Sequence, residues 1–318
     1  MTGYAVDIAA VREAAGRLNG LAHLTPVITC KAIDRLAGRQ LFFKCENLQK
    51  VGAFKFRGAC NFVMKLPEER ASKGLVTHSS GNHAQAVALA AQMRGVDAHL
   101  IMPRNAIPVK RRAVESYGGR IIECAPTLED REATAEKVLA ETGGTFIHPY
   151  NHPDIIAGQG TAALELFGQV SGLRAIVAPV GGGGLISGTC ITVKSFDPNC
   201  KVFAGEPSGA DDAARSKSAG KLIPQSGPDT IADGLLTSLG EMTWPIIRDH
   251  VERVFTVTDE QIIDTMRLFW ERTKLLIEAS AAVAVAAVLS EEFRAQGGLE
   301  RVGVILSGGN VNLDNLPW

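Results

Sequence analysis

The sequence lacks a surplus of charge of either sign. Its 318 residues include 33 lysines and arginines against 34 aspartates and glutamates, so the formal net charge is −1 at pH 7. Proteins that bind a polyanion such as nucleic acid usually carry a strongly basic surface. The balanced charge therefore predicts a small-molecule ligand and no nucleic-acid partner.

Long hydrophobic runs are also missing. The longest apolar stretch, 281–289, falls far short of the ~20 residues that a membrane-spanning helix needs. The N-terminal segment carries Asp7, Arg12 and Glu13 where a signal peptide would be apolar, which favours an amphipathic helix. We therefore expect a cytoplasmic protein with no membrane partner.

Paired cysteines are absent as well. The six cysteines are scattered, and none belongs to a Cys-x-x-Cys pair, so we expect free, mostly buried thiols and no cysteine metal site.

What the chain does contain is an alternation of short β-rich runs with helical segments. Runs such as 41–45, 98–102 and 175–180 alternate with segments such as 82–94 and 127–141, where apolar residues recur at i, i+3 and i+4. This order predicts an α/β fold with parallel sheets covered by helices. A chain of 318 residues also exceeds the usual size of one domain.

Three glycine-bearing turns directly follow predicted strands, at 79–83, 181–184 and 307–310. The carboxyl ends of parallel strands line the ligand crevice of such a sheet. We therefore expect the three turns to build one site.

The tetraglycine Gly181–Gly184 is the strongest local signal. Its backbone N–H groups, with a helix N-terminus behind them, are suited to an anion such as phosphate, although a tight turn alone would also explain it. With Gly188 and Glu206 it weakly resembles a dinucleotide fingerprint whose spacing is off by one. A nicotinamide-dependent oxidoreductase is therefore an alternative.

Lys55 lies among apolar neighbours, with Ala53 and Phe54 before it and Phe56 after it. Such neighbours would desolvate the ammonium group, lower its pKa and make the amine nucleophilic. Taken alone, the residue is better explained as a surface lysine with a buried stem.

Taken together, these segments resemble the fold-type-II pyridoxal 5′-phosphate (PLP) enzymes, the class of the tryptophan synthase β chain. The nearest subgroup contains the serine racemases and the serine/threonine dehydratases, including 3-hydroxyaspartate dehydratases. The resemblance runs from His23 to Asn312, and its motifs are Gly-Ala-Phe-Lys-Phe-Arg-Gly-Ala at 52–59, Ser-Ser-Gly-Asn-His-Ala-Gln at 79–85, Gly-Gly-Gly-Gly-Leu at 181–185 and Ser-Gly-Gly-Asn at 307–310.

The resemblance implies two doubly wound parallel-sheet domains with the site in the cleft between them. Residues 1–66 and 152–318 would form the large domain, and 72–146 the small one. It also implies a homodimer, leaves open a nucleotide effector that the sequence does not reveal, and predicts no regulatory domain after the strand before Ser307.

The resemblance also assigns roles. Lys55 would carry PLP as a Schiff base and return as a base on one face of the substrate. Asn82 would bond the 3′ oxygen of the cofactor, and Ser307 would face its pyridine nitrogen. The full cofactor set is Phe54, Lys55, Asn82, Gly181, Gly182, Gly183, Gly184, Glu278 and Ser307. The substrate set is Ser79, Ser80, Asn82, His83, Arg131 and Tyr150.

Ser80 distinguishes two chemistries. Racemase-like members of the family have serine here, whereas many threonine dehydratases have alanine. We expect Ser80 to carry a proton on the face opposite Lys55, with a purely structural loop serine as the alternative. His83, by contrast, is predicted to pack the loop and not to act as a base.

Glu206, Asp212 and the carbonyl of Ala210 are oxygen ligands that suit Mg²⁺ or Ca²⁺, and they match the metal loop of racemase-like members. Acidic residues at a helix N-terminus are the alternative explanation. Arg131 would grip a second substrate carboxylate if it faces the pocket, or pair with Glu129 or Glu132 if it does not.

The implied activity is α,β-elimination from L-serine, L-threonine or 3-hydroxyaspartate, giving a keto acid and ammonia, together with serine racemisation. An enzyme that is mainly a serine or aspartate racemase is the alternative within the family. A PLP-binding homologue without activity is expected to lack Lys55 or Ser307. Two departures, Ala53 for serine and Ala279-Ser280 for Pro-Thr, leave substrate preference open.

Overall fold

A computed structural model describes residues 3–79, 81–106 and 108–318. It shows two domains, each built on a sheet that is covered by helices, which confirms the predicted α/β class. The described strands are β1 Val27–Ile28, β2 Gln40–Cys45, β3 Leu75–His78, β4 Ala98–Pro103, β5 Arg120–Cys124, β6 Thr145–Phe146, β7 Ala175–Pro179, β8 Lys201–Pro207, β9 Val251–Val257 and β10 Arg301–Leu306. The described helices are α1 Ile8–Leu18, α2 Lys31–Ala37, α3 Lys55–Lys65, α4 Glu68–Ala71, α5 Asn82–Arg94, α6 Pro108–Ser116, α7 Leu128–Thr142, α8 Pro153–Gln169, α9 Gly184–Phe196, α10 Asp212–Ala219, α11 Trp244–His250, α12 Asp259–Thr273, α13 Ala279–Leu289 and α14 Glu291–Arg294.

The first sheet has the strand order β1-β2-β10-β7-β8-β9, and its pairs are parallel except for β1 with β2. Strand β7 lies between β10 and β8, and all of its residues are buried. Helix α13 packs in the apolar core on one face, and α8 and α9 pack in the core on the other. Cover on both faces explains why the sequence of β7 is apolar throughout.

The second sheet has the order β5-β4-β3-β6, and its pairs are all parallel. Its strands lie between residues 75 and 146, and α5 has the bounds that its periodicity predicts. Strands β1 and β6 have two residues each, too few for a recognisable pattern. The domain boundaries 66/72 and 146/152 stay a prediction.

Helices α3, α8 and α9 cross one another at glycines. A Cβ atom at Gly158 of α8 would lie 2.7 Å from the carbonyl oxygen of Arg57 on α3. A Cβ atom at Gly188 of α9 would lie 2.4 Å from the carbonyl oxygen of Ile156 and 2.5 Å from the amide nitrogen of Gly160, both on α8. Only glycine permits backbones to approach this closely. The two crossings therefore join α3 to α9 through α8.

We expect Gly188→Ala to destabilise the protein by about 1–3 kcal/mol, because the new methyl group must displace the backbone of α8. Gly168→Ala is the matched control, since a Cβ there meets nothing within 4 Å. Alanine favours the helix by up to about 1 kcal/mol, so this control should be neutral or stabilising. Urea unfolding measures both free energies. Equal stability of the two variants would show that the crossing tolerates a side chain.

Candidate active site

The carboxyl ends of both sheets face one cavity of about 1010 Å³. Every described residue that the sequence predicts for the cofactor or the substrate lines this cavity. They are Phe54, Lys55, Ser79, Asn82, His83, Arg131, Tyr150, Gly181–Gly184, Glu278 and Ser307. Ser80 lies outside the described residues.

Lys55 is the first residue of α3 and lies at the cavity wall. Its Nζ donates a hydrogen bond of 2.7 Å to the carbonyl oxygen of Pro149 and lies 5.3 Å from the centre of the Phe54 ring. The side chain keeps some accessible surface because it faces the cavity, yet the surrounding protein desolvates the ammonium group. Burial thereby lowers the pKa of Lys55 to about 8, as its apolar neighbours predicted.

Arg57, two residues after Lys55, fixes the start of α3 through buried ion pairs. Its guanidinium is buried and bonds both carboxylate oxygens of Glu46, at 2.7 and 2.8 Å, and both of Glu165, at 2.7 and 2.8 Å. Lys44 donates to Glu165 as well, at 2.5 Å. Because each buried charge has an opposite partner, the cluster ties α3 to β2 and α8.

The tetraglycine loop runs from β7 into α9. Backbone conformation and neighbouring side chains leave no room for a Cβ atom in it. Gly183 has φ 89°, a backbone conformation that side chains disfavour. A Cβ atom at Gly182 would lie 2.3 Å from the ring of Tyr150, which covers the loop. A cradle of free N–H groups at the N-terminus of a thirteen-residue helix fits a phosphate group.

A partly buried polar cluster joins the start of α5 to the other domain. Asn82, the first residue of α5, donates to Glu278 at 2.7 Å and accepts from Asn310 Nδ2 at 2.8 Å. Burial raises the pKa of the Glu278 carboxyl, and the charge of Lys110 opposes that rise. The second N–H of the Asn82 amide is free in these contacts to meet a cofactor oxygen.

Ser307 follows β10 and is buried. Its carbonyl oxygen accepts a 3.0 Å hydrogen bond from the backbone N–H of Phe54. The segment that contains Lys55 therefore lies beside Ser307, the residue predicted to face the pyridine nitrogen. A Cβ atom at Gly308 would lie 2.4 Å from Glu278, which explains the glycine after Ser307.

Histidines line the small-domain side without carrying charge. The buried ring of His83 lies 3.2 Å from the carbonyl oxygen of Ile147. Burial, followed by the charge of Lys55, lowers the pKa of His83 well below its ordinary value. Burial also lowers the pKa of His148 to about 4, and its Nδ1 accepts from the backbone of Asn151 at 2.9 Å.

Arg131 belongs to α7, and its Nε donates to the carbonyl oxygen of Thr127 at 3.2 Å. The guanidinium therefore keeps further donors while its side chain lines the cavity. Since His83 and His148 are neutral, Arg131 supplies positive charge on this side of the cleft.

Sequence reasoning missed an ion pair at the cavity. Lys110 of α6 is buried and pairs with Asp233 of the 233–235 turn, so the pair links the two domains. The partners are separated by 123 residues, and no local motif connects them.

The predicted metal residues lie outside the cavity lining, at the end of β8. Glu206 accepts from the amides of Ala213 and Ala214 at 2.8 Å each, so it caps α10 as the alternative explanation predicts. Asp212 accepts from the amide of Leu239 at 2.9 Å, and its Oδ1 is buried without a partner among the described residues. Burial raises the pKa of Glu206 to about 8 and that of Asp212 to about 6.

That orphaned oxygen is compatible with a cation ligand. Among residues 3–79, 81–106 and 108–318, no group of three or more His, Cys, Asp or Glu side chains is placed to hold a metal ion. A cation here would therefore depend on backbone carbonyls and water as well as on Glu206 and Asp212.

Comparisons with known proteins place the chain in a family. Residues 19–308 match the model of the pyridoxal-phosphate dependent enzymes. A serine racemase from Arabidopsis thaliana is 50% identical over 316 residues, which cover 98% of this chain and 96% of the relative. A beta-hydroxyaspartate dehydratase from Paracoccus denitrificans is 51% identical over 294 residues, which cover 92% and 93%. The structure of maize serine racemase superposes with a TM-score of 0.97 at 48% identity, covering 98% of this chain and 95% of that one.

The chain therefore belongs to the pyridoxal-phosphate dependent enzymes, and PLP is its cofactor. This family replaces the nicotinamide alternative that the glycine loop raised. Within the described part of the chain, no helix is long and apolar enough to cross a membrane.

The pKa of Lys55 makes a testable prediction. A lysine is a nucleophile only when neutral, so lowering its pKa from 10.5 to about 8 leaves roughly a tenth of the amine free at pH 7. In cofactor-free enzyme, the rate of PLP incorporation should therefore rise with pH to a plateau with a midpoint near 8. Stopped-flow absorbance measures this rate, and Lys55→Arg reports the background. A midpoint above pH 10 would contradict the desolvation of Lys55.

Proposed function

We propose that this enzyme removes ammonia from small β-hydroxy amino acids by α,β-elimination and also racemises serine. The observation that carries the proposal is the desolvated Lys55 amine in a cavity that the tetraglycine loop also lines. Similarity to serine racemases and to a beta-hydroxyaspartate dehydratase supports both activities.

Lys55 would hold PLP covalently, with Gly181–Gly184 around its phosphate and Asn82 near its 3′ oxygen. When bound, PLP supplies an electron sink that makes the Cα–H of an attached amino acid acidic. Ser307 would face the pyridine nitrogen, and a neutral hydroxyl there does not enforce protonation. The resulting weaker sink suits a substrate that quickly loses its β-hydroxyl or regains its proton.

The N-terminus of α5 would bind the substrate carboxylate. Ser79 and Asn82 lie at the positive end of the thirteen-residue helix α5. Such an end favours an anion. Lys55, released from the cofactor by the substrate, would take or return the Cα proton on one face.

Arg131 and Tyr150 would select among substrates. Arg131 is a bidentate donor that can bind a second carboxylate, as in 3-hydroxyaspartate. His83 and His148 stay neutral, so they do not compete for that charge. The proposal thus extends from serine and threonine to a dicarboxylate.

Two further elements belong to the proposal. Mg²⁺ or Ca²⁺ would bind Glu206, Asp212 and the carbonyl of Ala210, where the unpartnered Asp212 oxygen favours a cation. A homodimer would cover exposed apolar side chains such as Leu48 and Leu276, which the hydrogen bond from Asn47 to the carbonyl oxygen of Leu276 brings near each other. The nucleotide effector is not part of the proposal.

The function is tested by measuring keto-acid and D-amino-acid formation side by side from L-serine, L-threonine and 3-hydroxyaspartate. We expect keto acid from at least one substrate and D-serine from L-serine. Lys55→Ala should lower both rates by at least about 10²- to 10⁴-fold, because it removes the base. Lys65→Ala on the same helix is the control, since this side chain is exposed. Wild-type turnover in Lys55→Ala would refute the proposed function.

Ser80→Ala should separate the two activities. Racemisation needs a proton carrier on each face, whereas elimination needs one, so the conversion of L- to D-serine should fall about 10²- to 10⁴-fold and dehydration much less. Ser79→Ala is the comparison, because loss of a carboxylate contact should lower both rates together. Equal losses in Ser80→Ala would assign that residue to binding or loop geometry instead.

Cation binding should stabilise the folded state. At a concentration about 100 times its dissociation constant, Mg²⁺ or Ca²⁺ should add about 2.7 kcal/mol to the free energy of unfolding, and a chelator should remove this gain. Asp212→Asn should abolish the rise in melting temperature. Asp211→Asn should keep it, because Asp211 pairs with Arg215 on the surface. An unchanged melting temperature of the wild type with either cation would exclude the site.

A further inference from the structure

The phosphate loop has little rigidity of its own. Gly181–Gly184 carry no side chains that fix their peptide planes, and glycine loses more conformational freedom on ordering than any other residue. A loop that aims N–H groups at an anion binds more tightly when something else holds its peptides in place. The side chain of Thr243 is placed to do this.

Thr243 lies behind the loop, fully buried, and immediately precedes α11. Its Oγ1 lies 2.9 Å from the carbonyl oxygen of Gly182 and 3.1 Å from that of Gly240, and we assign its single proton to the nearer oxygen, that of Gly182. The same Oγ1 accepts from the amide of Gly240 at 2.9 Å. A Cβ atom at Gly183 would lie 2.7 Å from the same hydroxyl oxygen. The threonine therefore packs directly against the Gly182–Gly183 peptide.

We propose that Thr243 is a positioning residue that aims the N–H of Gly183 at the cofactor phosphate. In a planar trans peptide, the carbonyl of one residue and the N–H of the next point in opposite directions. Holding the Gly182 oxygen towards the buried Thr243 therefore turns the Gly183 N–H away from it, and Gly183 lines the cavity. This inference rests on the proposed placement of the phosphate at the tetraglycine loop.

Three hydrogen bonds fix the position of Thr243 and of the residues just before it. Ser187 of α9 donates to its carbonyl oxygen at 3.3 Å, and the amide of the preceding Met242 donates to Asn151 at 2.9 Å. The amide of Leu239, in the same segment, donates to Asp212. The hydroxyl thus transmits the position of the whole 239–243 segment to the loop.

The test compares PLP with pyridoxal, which forms the same bond to Lys55 but has no phosphate. Binding of each to full-length, cofactor-free enzyme is followed by visible absorbance. Thr243→Val keeps the shape and removes the hydroxyl, so PLP should bind roughly 3- to 10-fold more weakly, while the dissociation constant of pyridoxal should change by less than about twofold.

Two variants complete the design. Thr243→Ser retains the hydroxyl and should restore PLP binding to within about twofold of the wild type. Thr189→Val is the matched control on α9, because Thr189 donates to the carbonyl oxygen of Leu185 in its own helix. If Thr243→Val does not fold, Thr243→Cys fills a similar volume with a much weaker donor and takes its place.

The outcomes distinguish this inference from the proposed function. If the wild type prefers PLP over pyridoxal and Thr243→Val keeps that preference, the role of Thr243 is overturned and the phosphate site is not. The same conclusion follows if Thr243→Val weakens both ligands equally. A wild type that binds pyridoxal as tightly as PLP would overturn the phosphate site itself, and the role of Thr243 with it.

Discussion

The crossing of α3, α8 and α9 is the constraint on which the site depends. Helix α3 begins at Lys55, and α9 begins at Gly184, where the tetraglycine loop ends. Helix α8 touches both through glycines, at distances that leave no room for a side chain. The separation between the start of α3 and the tetraglycine loop is therefore set by backbone against backbone, which is stiffer than any contact between flexible side chains. Arg57 adds ion pairs from α3 to Glu165 of α8 and to Glu46, which follows β2.

Polar groups join the two domains across the cavity, beside the apolar cluster that α3 and α5 share. The Asn82–Glu278 and Asn82–Asn310 hydrogen bonds and the Lys110–Asp233 ion pair all join an element of one sheet's domain to an element of the other's. These contacts are partly buried, and polar contacts shielded from water are costly when unpaired and directional when paired. They therefore fix the orientation of α5 and α6 relative to the other domain more specifically than the apolar cluster alone would.

The segment 239–243 connects three parts of the protein. Its backbone amides donate to Asp212, at the proposed cation site, and to Asn151. The hydroxyl of Thr243, at its end, donates to Gly182 in the tetraglycine loop. A cation at Asp212 would hold the carboxylate that accepts from Leu239. Such a cation would therefore be linked through this segment to the tetraglycine loop, although Asp212 lies outside the cavity lining.

The sequence by itself determined the local chemistry of this protein. The apolar strand before four glycines, the helix after them, and a lysine among apolar residues were all predictable, because strand and helix periods and loop composition are properties of neighbouring residues. The order and spacing of the four motifs also predicted membership of the PLP family. Only the tertiary structure decided which distant groups meet. Lys110 pairs with Asp233, 123 residues away along the chain, and Thr243 donates to Gly182, 61 residues away. No pattern along the chain encodes such contacts, and the lowered pKa of Lys55 likewise depends on the desolvation that the folded cavity imposes.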